Sequence, residues 1–328
     1  MTPQPAILEL GKEYPPPGED VAIEQLRALH LKVQHAQGAD SHRGEHPKTH
    51  CGVWARFRVE EDIPAEFRAG LFGKPGDYAA LIRYSNGRNA DDRPADVRGM
   101  AIKVLIPQEG QDPLQQDFLL VNHPVFFGRT VQHTLDFLIA TAAGTPAAQL
   151  AMTTHPALIG FATQIMSSLL DIAYWSQTPY TLGATAVKYV ATPSVQRPKE
   201  AIALEDAPDC LRAAMIEQLT FRKAGALFDF CVNPQTDPYA MPVEDPTVEW
   251  KSAPVKLATV AIYPQKFDSP AQMTFVENLQ WTPWDGLPAH QPLGGINRAR
   301  RLIYQDSMQL RHRTNGVQVN PITGRESF

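Results

Sequence analysis

Residues 79–105 read AALIRYSNGRNADDRPADVRGMAIKVL, two alternating apolar stretches on either side of a polar segment rich in Gly, Asn, Asp and Pro. Alternation with a period of two sends successive side chains to opposite faces of a strand, and a segment of that composition marks a turn between strands. The pattern recurs outward in both directions. VWARFRV at 53–59 and DFLLV at 117–121 share it, and strand character returns at 225–233 and 255–263. Short strands with such turns predict an antiparallel sheet curled toward a barrel.

Helical patterns frame the strands. Residues 21–34 carry Ile23, Leu26, Leu29 and Val33 at helical spacing, and 297–312 run without a breaker after Gly294 and Gly295. From about 130 to 222 the pattern turns helical, with interruptions at Pro146, Pro156 and Pro179. The expectation is an α+β chain: a Pro-rich extended arm over 1–20 and a single barrel-centred domain over 21–328.

Composition narrows the function classes. With 328 residues, 43% hydrophobic and 20% charged, the chain can bury a sizeable core, and its net charge of −5 argues against a general grip on nucleic acid. Cys51, Cys210 and Cys231 are too scattered for a disulfide scaffold, and no basic-then-apolar leader opens the sequence, so a reducing, cytoplasmic setting is expected. The apolar stretch 157–175 contains Gln164, Ser167, Ser168 and Asp171, which suit a partly buried helix with at most shallow membrane contact. His42, His46, His50 and Cys51 are zinc-ligand types, but Gly44 and Pro47 break any helix that would align them. A polar surface loop is the expectation there.

The segment with most chemistry is PLGGINRARRLIYQDSMQLRHR, residues 292–313. On a helix, Arg300, Tyr304, Met308 and Arg311 fall on one face. A guanidinium beside a phenol favours the ionised oxygen, and phenolate is a known ligand of haem iron. The same spacing also fits an ordinary helix-surface contact between Arg300 and Tyr304, and it does not decide between the two.

This block resembles the proximal helix of haem catalases, in which Arg, Tyr, Asp and a later Arg stand where Arg300, Tyr304, Asp306 and Arg311 stand here. Three further blocks resemble the family in the same order. LKVQHAQG looks like its distal-histidine segment, with His35 as the histidine and Lys32 in the place of an arginine. Gln34 there replaces what is often a small or β-branched residue. IRYSNG followed by VRGMAIKVL looks like its strand pair, with Arg83 as a propionate partner and Ser85 as support for His35. DFLLVNHPVFFGR looks like its distal segment, ending with Phe127 near the cofactor. MPVEDPTVEW and ENLQWTPWDGLPAHQPLGGINRARR are similar to the compact bacterial catalase-related haem proteins.

The resemblance implies a catalase-like antiparallel β-barrel with flanking helices, and haem b between the barrel and the C-terminal helix. It implies Tyr304 as proximal ligand of ferric iron and His35 as acid and base. Lys32, Arg83, Phe127, Arg300 and Arg311 would then hold the cofactor. One departure bears on activity. The family's distal asparagine position is Val121 here, with Asn122 one residue on, and a one-residue shift on a strand turns a side chain to the other face. The family's haem-stacking phenylalanine likewise aligns with Thr134, with Phe137 the nearest aromatic. A more apolar pocket favours a peroxidase or hydroperoxide-converting enzyme for organic hydroperoxides, fatty-acid hydroperoxides among them. The alternatives are a hydrogen-peroxide catalase in which a bulge returns Asn122 to the pocket, and a non-catalytic haem sensor or carrier. The expected partner is a small hydroperoxide, with no nucleic acid; a homodimer is in keeping with compact relatives.

Overall fold

The computed structural model describes residues 7–38, 41–146, 150, 158–160, 168–196, 202–318 and 321–328. Helix α1 spans Glu19–His35, and the strands β1 to β4 follow at Lys48–Val59, Gly76–Asn86, Arg98–Gln108 and Gln111–Val121. Helix α2 is Val131–Ala142, and β5, β6 and β7 are Tyr174–Trp175, Tyr180–Leu182 and Thr185–Pro193. A short α3, Cys210–Ile216, precedes β8, Ala226–Pro234, and β9, Val255–Ile262. Helices α4, Pro270–Asn278, and α5, Gly295–Asn315, complete the chain.

The strands pair antiparallel in the order β5-β4-β3-β2-β1-β9-β8-β7-β6, and β5 also pairs with β7, so eight strands close into a barrel and β6 hangs outside on β7. Alternation decides what faces inward. Val53, Ala55, Phe57 and Val59 are buried in the barrel while Arg56 and Arg58 between them stay in solvent. Phe57, Phe118 and Phe230 meet at the centre with ring centroids 4.8 to 5.9 Å apart. Each such ring contributes about 1.5–3 kcal/mol by leaving water. On β2, β3 and β4 the alternate residues Arg83, Ser85, Gly99, Ala101, Leu119 and Val121 face outward, toward the helices.

Against that outer face lie α1, α2 and α5. Leu26 of α1, Val131 and Leu135 of α2, and Ile296, Ala299 and Ile303 of α5 form one apolar cluster that joins the three helices. Helix α5 stops at Gly316, whose φ of 63° is the left-handed cap that glycine accepts without strain.

The structure departs from the sequence reading in three places. Residues 130–222 are not helical throughout, because β5, β6 and β7 lie inside them. Strand β7 is buried on both faces from Ala186 to Ala191, Lys188 included, and a run buried on both faces cannot be told from a buried helix by periodicity. Of the stretch 157–175, residues 157 and 161–167 lie outside the described residues, 158–160 are helical, 169–172 are turn and bend, and Tyr174–Trp175 is β5 and not helix. No described helix is long and apolar enough to cross a membrane. The polar loop after α1 ends at Lys48, so His50 and Cys51 belong to β1, where a bulge between Thr49 and Cys51 puts His50 out of register.

Candidate active site

A cavity of about 460 Å³ opens between the outer face of β2–β4 and the three helices. Its walls are mainly apolar, with Leu119, Val121, Phe126, Phe127, Phe137 and Leu138 among them. Phe126, Phe127 and Phe137 form a continuous aromatic wall, with centroids 4.4 and 5.2 Å apart in turn.

Helix α5 supplies one side. Tyr304 lines the cavity, and the Nε of Arg300, one turn earlier, donates to its hydroxyl oxygen at 3.2 Å. The guanidinium also sits 5.0 Å from the phenol ring centroid. Asn297 holds that guanidinium in place, since its Oδ1 accepts from Arg300 Nη1 at 3.1 Å and its Nδ2 donates to the carbonyls of Pro179 and Leu293, each at 3.0 Å. Burial works against the charge on Arg300, but the neighbouring Tyr304 and Tyr180 oxygens outweigh it and its pKa is raised. The cation is thus fixed on the phenol oxygen.

The barrel supplies the other side. His46, in the loop before β1, lines the cavity and shares a 3.1 Å hydrogen bond between its Nδ1 and the Ser85 hydroxyl. Its backbone has φ 56°, a left-handed conformation that side chains other than glycine adopt at a cost and that concentrates at functional sites. Two contacts enforce it: the His46 N–H donates to the Gly87 carbonyl at 3.0 Å, and its own carbonyl accepts from Arg83 Nη2 at 2.7 Å. Gly99 leaves the necessary room, because a Cβ there would lie 2.6 Å from Ser85 Oγ and 2.8 Å from His46 Nδ1. Burial, and then the charges of Arg83 and Arg300, push the imidazole down to about 3, so it is neutral at physiological pH. With Nδ1 held by Ser85, Nε2 is the ring's remaining proton site.

A third group lies at the cavity's edge. Arg43, Arg83 and Arg311 share one carboxylate, Glu277. Arg43 bonds it directly, Arg83 lies 3.9 Å from it, and Arg311 Nη1 donates to the Glu277 backbone carbonyl at 2.7 Å. Burial and mutual repulsion lower Arg83 to about 9 and Arg311 to about 10. Burial opposes ionisation of Glu277, but the Arg43 and Arg83 charges prevail and its pKa is lowered. The Nε of Arg311 is buried with no hydrogen-bond partner among the described residues. Three buried guanidiniums around one carboxylate leave cationic donors for a further anion.

The structure thus brings Tyr304, Arg300, Arg83, Ser85, Arg311 and Phe127 to one cavity. Three residues assigned from sequence lie elsewhere. His35 is exposed in the last turn of α1, Lys32 is exposed one turn earlier, and neither lines the cavity. His46 and Arg43, which repeat the same basic-x-x-His spacing further along, do line the cavity, and the Ser85 hydroxyl bonds His46. The signal was legible in RGEHPKTH, where the third basic-x-x-His pair, after Arg27–His30 and Lys32–His35, immediately precedes a strand. Asn122 is also outside the cavity. It is 1% exposed, and its Oδ1 accepts from the Arg98 N–H at 2.8 Å, while Val121 before it lines the wall. The register shift between β3 and β4 lies between Ile106 and Gln108, at the far end of the strands, and does not return the amide to the pocket. Asn297, inside the quoted helix block, went unassigned because nothing in the linear pattern shows that it grips Arg300.

His50 is committed to Asn86, whose Oδ1 lies 2.6 Å from its Nε2, and Cys51 Sγ packs 3.7 Å from the Met215 sulfur. No group of three or more His, Cys, Asp or Glu among the described residues could hold a metal ion.

No protein-family model matches the sequence, and no curated protein matches it either. Solved structures do. A fungal catalase superposes with a TM-score of 0.66 at 16% identity, over 95% of this chain and 66% of its own. Catalase A from Saccharomyces cerevisiae gives 0.62 at 18% identity, over 95% and 70%. A bacterial catalase gives 0.60 at 17% identity, over 98% and 67%. This chain spans about two thirds of the length of these proteins. A closed antiparallel barrel whose outer face carries the cavity, superposable on three catalases over nearly its whole length, is a catalase-like fold.

Proposed function

We propose that this chain is a haem-dependent oxidoreductase that acts on peroxides, with organic hydroperoxides as preferred substrates. One observation carries the reading: a single cavity holds a phenol with a guanidinium on its oxygen, a neutral imidazole tied to a hydroxyl, and an under-neutralised arginine cluster. The residues fit haem b. Tyr304 would ligate ferric iron, Arg43, Arg83 and Arg311 would take the two propionates, and the orphaned Arg311 Nε is a donor that such a carboxylate satisfies. The apolar walls suit the faces of a porphyrin, and the volume lies in the range of cofactor pockets.

When bound, ferric haem supplies the redox and Lewis-acid chemistry that cleaves an O–O bond. The chain's own part is to manage protons and exclude water. Neutral His46 accepts the hydroperoxide proton at Nε2 and returns it to the departing oxygen, while Ser85 fixes the ring plane through Nδ1. The Val121 side chain and the aromatic wall offer apolar contact and no amide where the substrate sits. That favours an alkyl or acyl hydroperoxide over hydrogen peroxide by the free energy of the buried hydrocarbon. The likeness to three catalases favours a second reading, dismutation of hydrogen peroxide itself.

The test is a steady-state comparison of hydrogen peroxide, cumene hydroperoxide and a fatty-acid hydroperoxide on hemin-loaded protein, alongside Tyr304→Phe and His46→Ala. The proposal expects Soret absorbance that Tyr304→Phe shifts, and hydroperoxide turnover that His46→Ala removes while haem stays bound. Oxygen evolution from hydrogen peroxide without organic turnover would establish the catalase reading. Haem binding without turnover of any peroxide would leave a carrier, and a protein that takes up no hemin overturns all three.

A further inference from the structure

Gln34 belongs to α1, is 1% exposed, and uses both amide protons. Its Nε2 donates to the His42 carbonyl at 3.0 Å and to the Ser307 carbonyl at 3.0 Å, with Ser41 Oγ at 3.4 Å beside them. His42 lies in the loop that leads to Arg43 and His46, and Ser307 follows Tyr304 on α5 by less than one turn. One buried amide therefore ties the helix that carries the phenol to the loop that carries the imidazole.

A second amide repeats the connection. Asn315, the last residue of α5, accepts from the Ser41 N–H through Oδ1 at 3.0 Å and donates from Nδ2 to the Ser41 carbonyl at 2.9 Å. Ser41 is thus fastened to α5 directly, and His42 through Gln34, each by its backbone. From that fastening the chain runs through Arg43, Gly44 and Glu45 to His46, where the Gly87 carbonyl holds it again.

We infer that Gln34 is a positioning residue that sets the separation between the Tyr304 helix and the Arg43–His46 loop, an inference that rests on the proposed peroxide reaction for its catalytic consequence. A primary amide is the neutral side chain that presents two N–H donors from one buried point, which is what two carbonyls from different elements require. A leucine would fill the space, leave the His42 carbonyl without this donor and cut the tie to Ser307. The loop would then be free to move relative to α5, and small displacements of a proton-transfer group carry large rate effects.

The experiment compares the full-length wild type with Gln34→Leu, by hydrogen–deuterium exchange of the peptide covering 41–46 and by steady-state kinetics of the hemin-loaded protein. Exchange in that peptide is expected to rise about tenfold while β2 and β3 keep wild-type protection. kcat for the hydroperoxide is expected to fall about tenfold with KM within about twofold of wild type. Unchanged exchange at 41–46 overturns the inference whether or not the protein reacts with peroxide. Raised exchange in a chain that shows no peroxide chemistry leaves the clamp standing and removes the proposed function instead. Should Gln34→Leu fail to accumulate folded, Asn315→Ala at the exposed helix end reads the same coupling, and wild-type exchange at Ser41 and His42 in that variant overturns it.

Discussion

Val121, the last residue of β4, lines the cavity, and Asn122, just past the strand, turns away to accept the Arg98 backbone N–H at 2.8 Å. The polarity of the pocket wall is thereby set by which of the two neighbours faces it. Val121→Asn places an amide donor at the cavity and is expected to move the ratio of hydrogen-peroxide to cumene-hydroperoxide turnover at least about tenfold toward hydrogen peroxide. Oxygen evolution and peroxidase assays on the same preparation check it.

Asn122→Ala acts differently. It removes the acceptor for a buried N–H and is expected to lower stability by about 1–3 kcal/mol in urea unfolding while leaving substrate preference unchanged. A change in that preference without loss of stability would place Asn122 at the substrate after all.

Two histidines separate cleanly. His46→Gln is expected to lower hydroperoxide turnover by about 10²–10⁴-fold, the range of a lost general acid and base, and exposed His35→Gln is expected to match wild type. Stopped-flow reaction with cumene hydroperoxide is the measurement, and equal losses in both variants would refute the assignment of His46.

Gly99→Ala puts a methyl group 2.6 Å from Ser85 Oγ and 2.8 Å from His46 Nδ1, and one of the two must move. Turnover is expected to fall by about 10²-fold with hemin still bound, since misplacement of a catalytic group by an ångström has effects of that size. Loss of hemin together with activity would point to general collapse of the pocket.

Acid should weaken the fold through its buried imidazoles. Burial lowers His46 to about 3, and His50 and His290 each to about 4, against an ordinary value of 6.5. Below 6.5 the unfolded chain takes up protons that these three refuse when folded, so their stabilising contribution is full above 6.5 and is lost as pH falls toward 4. Each contributes a slope of up to about 1.4 kcal/mol per pH unit in that window. Urea titrations at pH 7 and pH 5 measure it, and equal stability at the two values would contradict the burial of these rings.

Much of the barrel was legible because VWARFRV, AALIRY and MAIKVL alternate between core and outer face, so each strand declares its period. Strand β7 was not, since burial on both faces erases alternation from Ala186 to Ala191. The helix block around Tyr304 was legible because its members share one face at fixed spacing. That His46 and not His35 lines the cavity was not legible, for a related reason. A basic residue three before a histidine occurs at Arg27–His30, at Lys32–His35 and again at Arg43–His46, and linear spacing does not distinguish a helix from a loop pinned under a strand. The clamp by Gln34 joins residues far apart in the chain, and no local pattern announces it.

The two-residue β5 closes the barrel, meeting β4 at a single position, Trp175 opposite Val121. A seam fastened by so few teeth parts first when the molecule is warmed, long before its broad β1–β2 and β3–β4 joins. The wall most intimate with a guest is therefore also where the ring breathes, so occupancy of the chamber and resistance to heat should rise together.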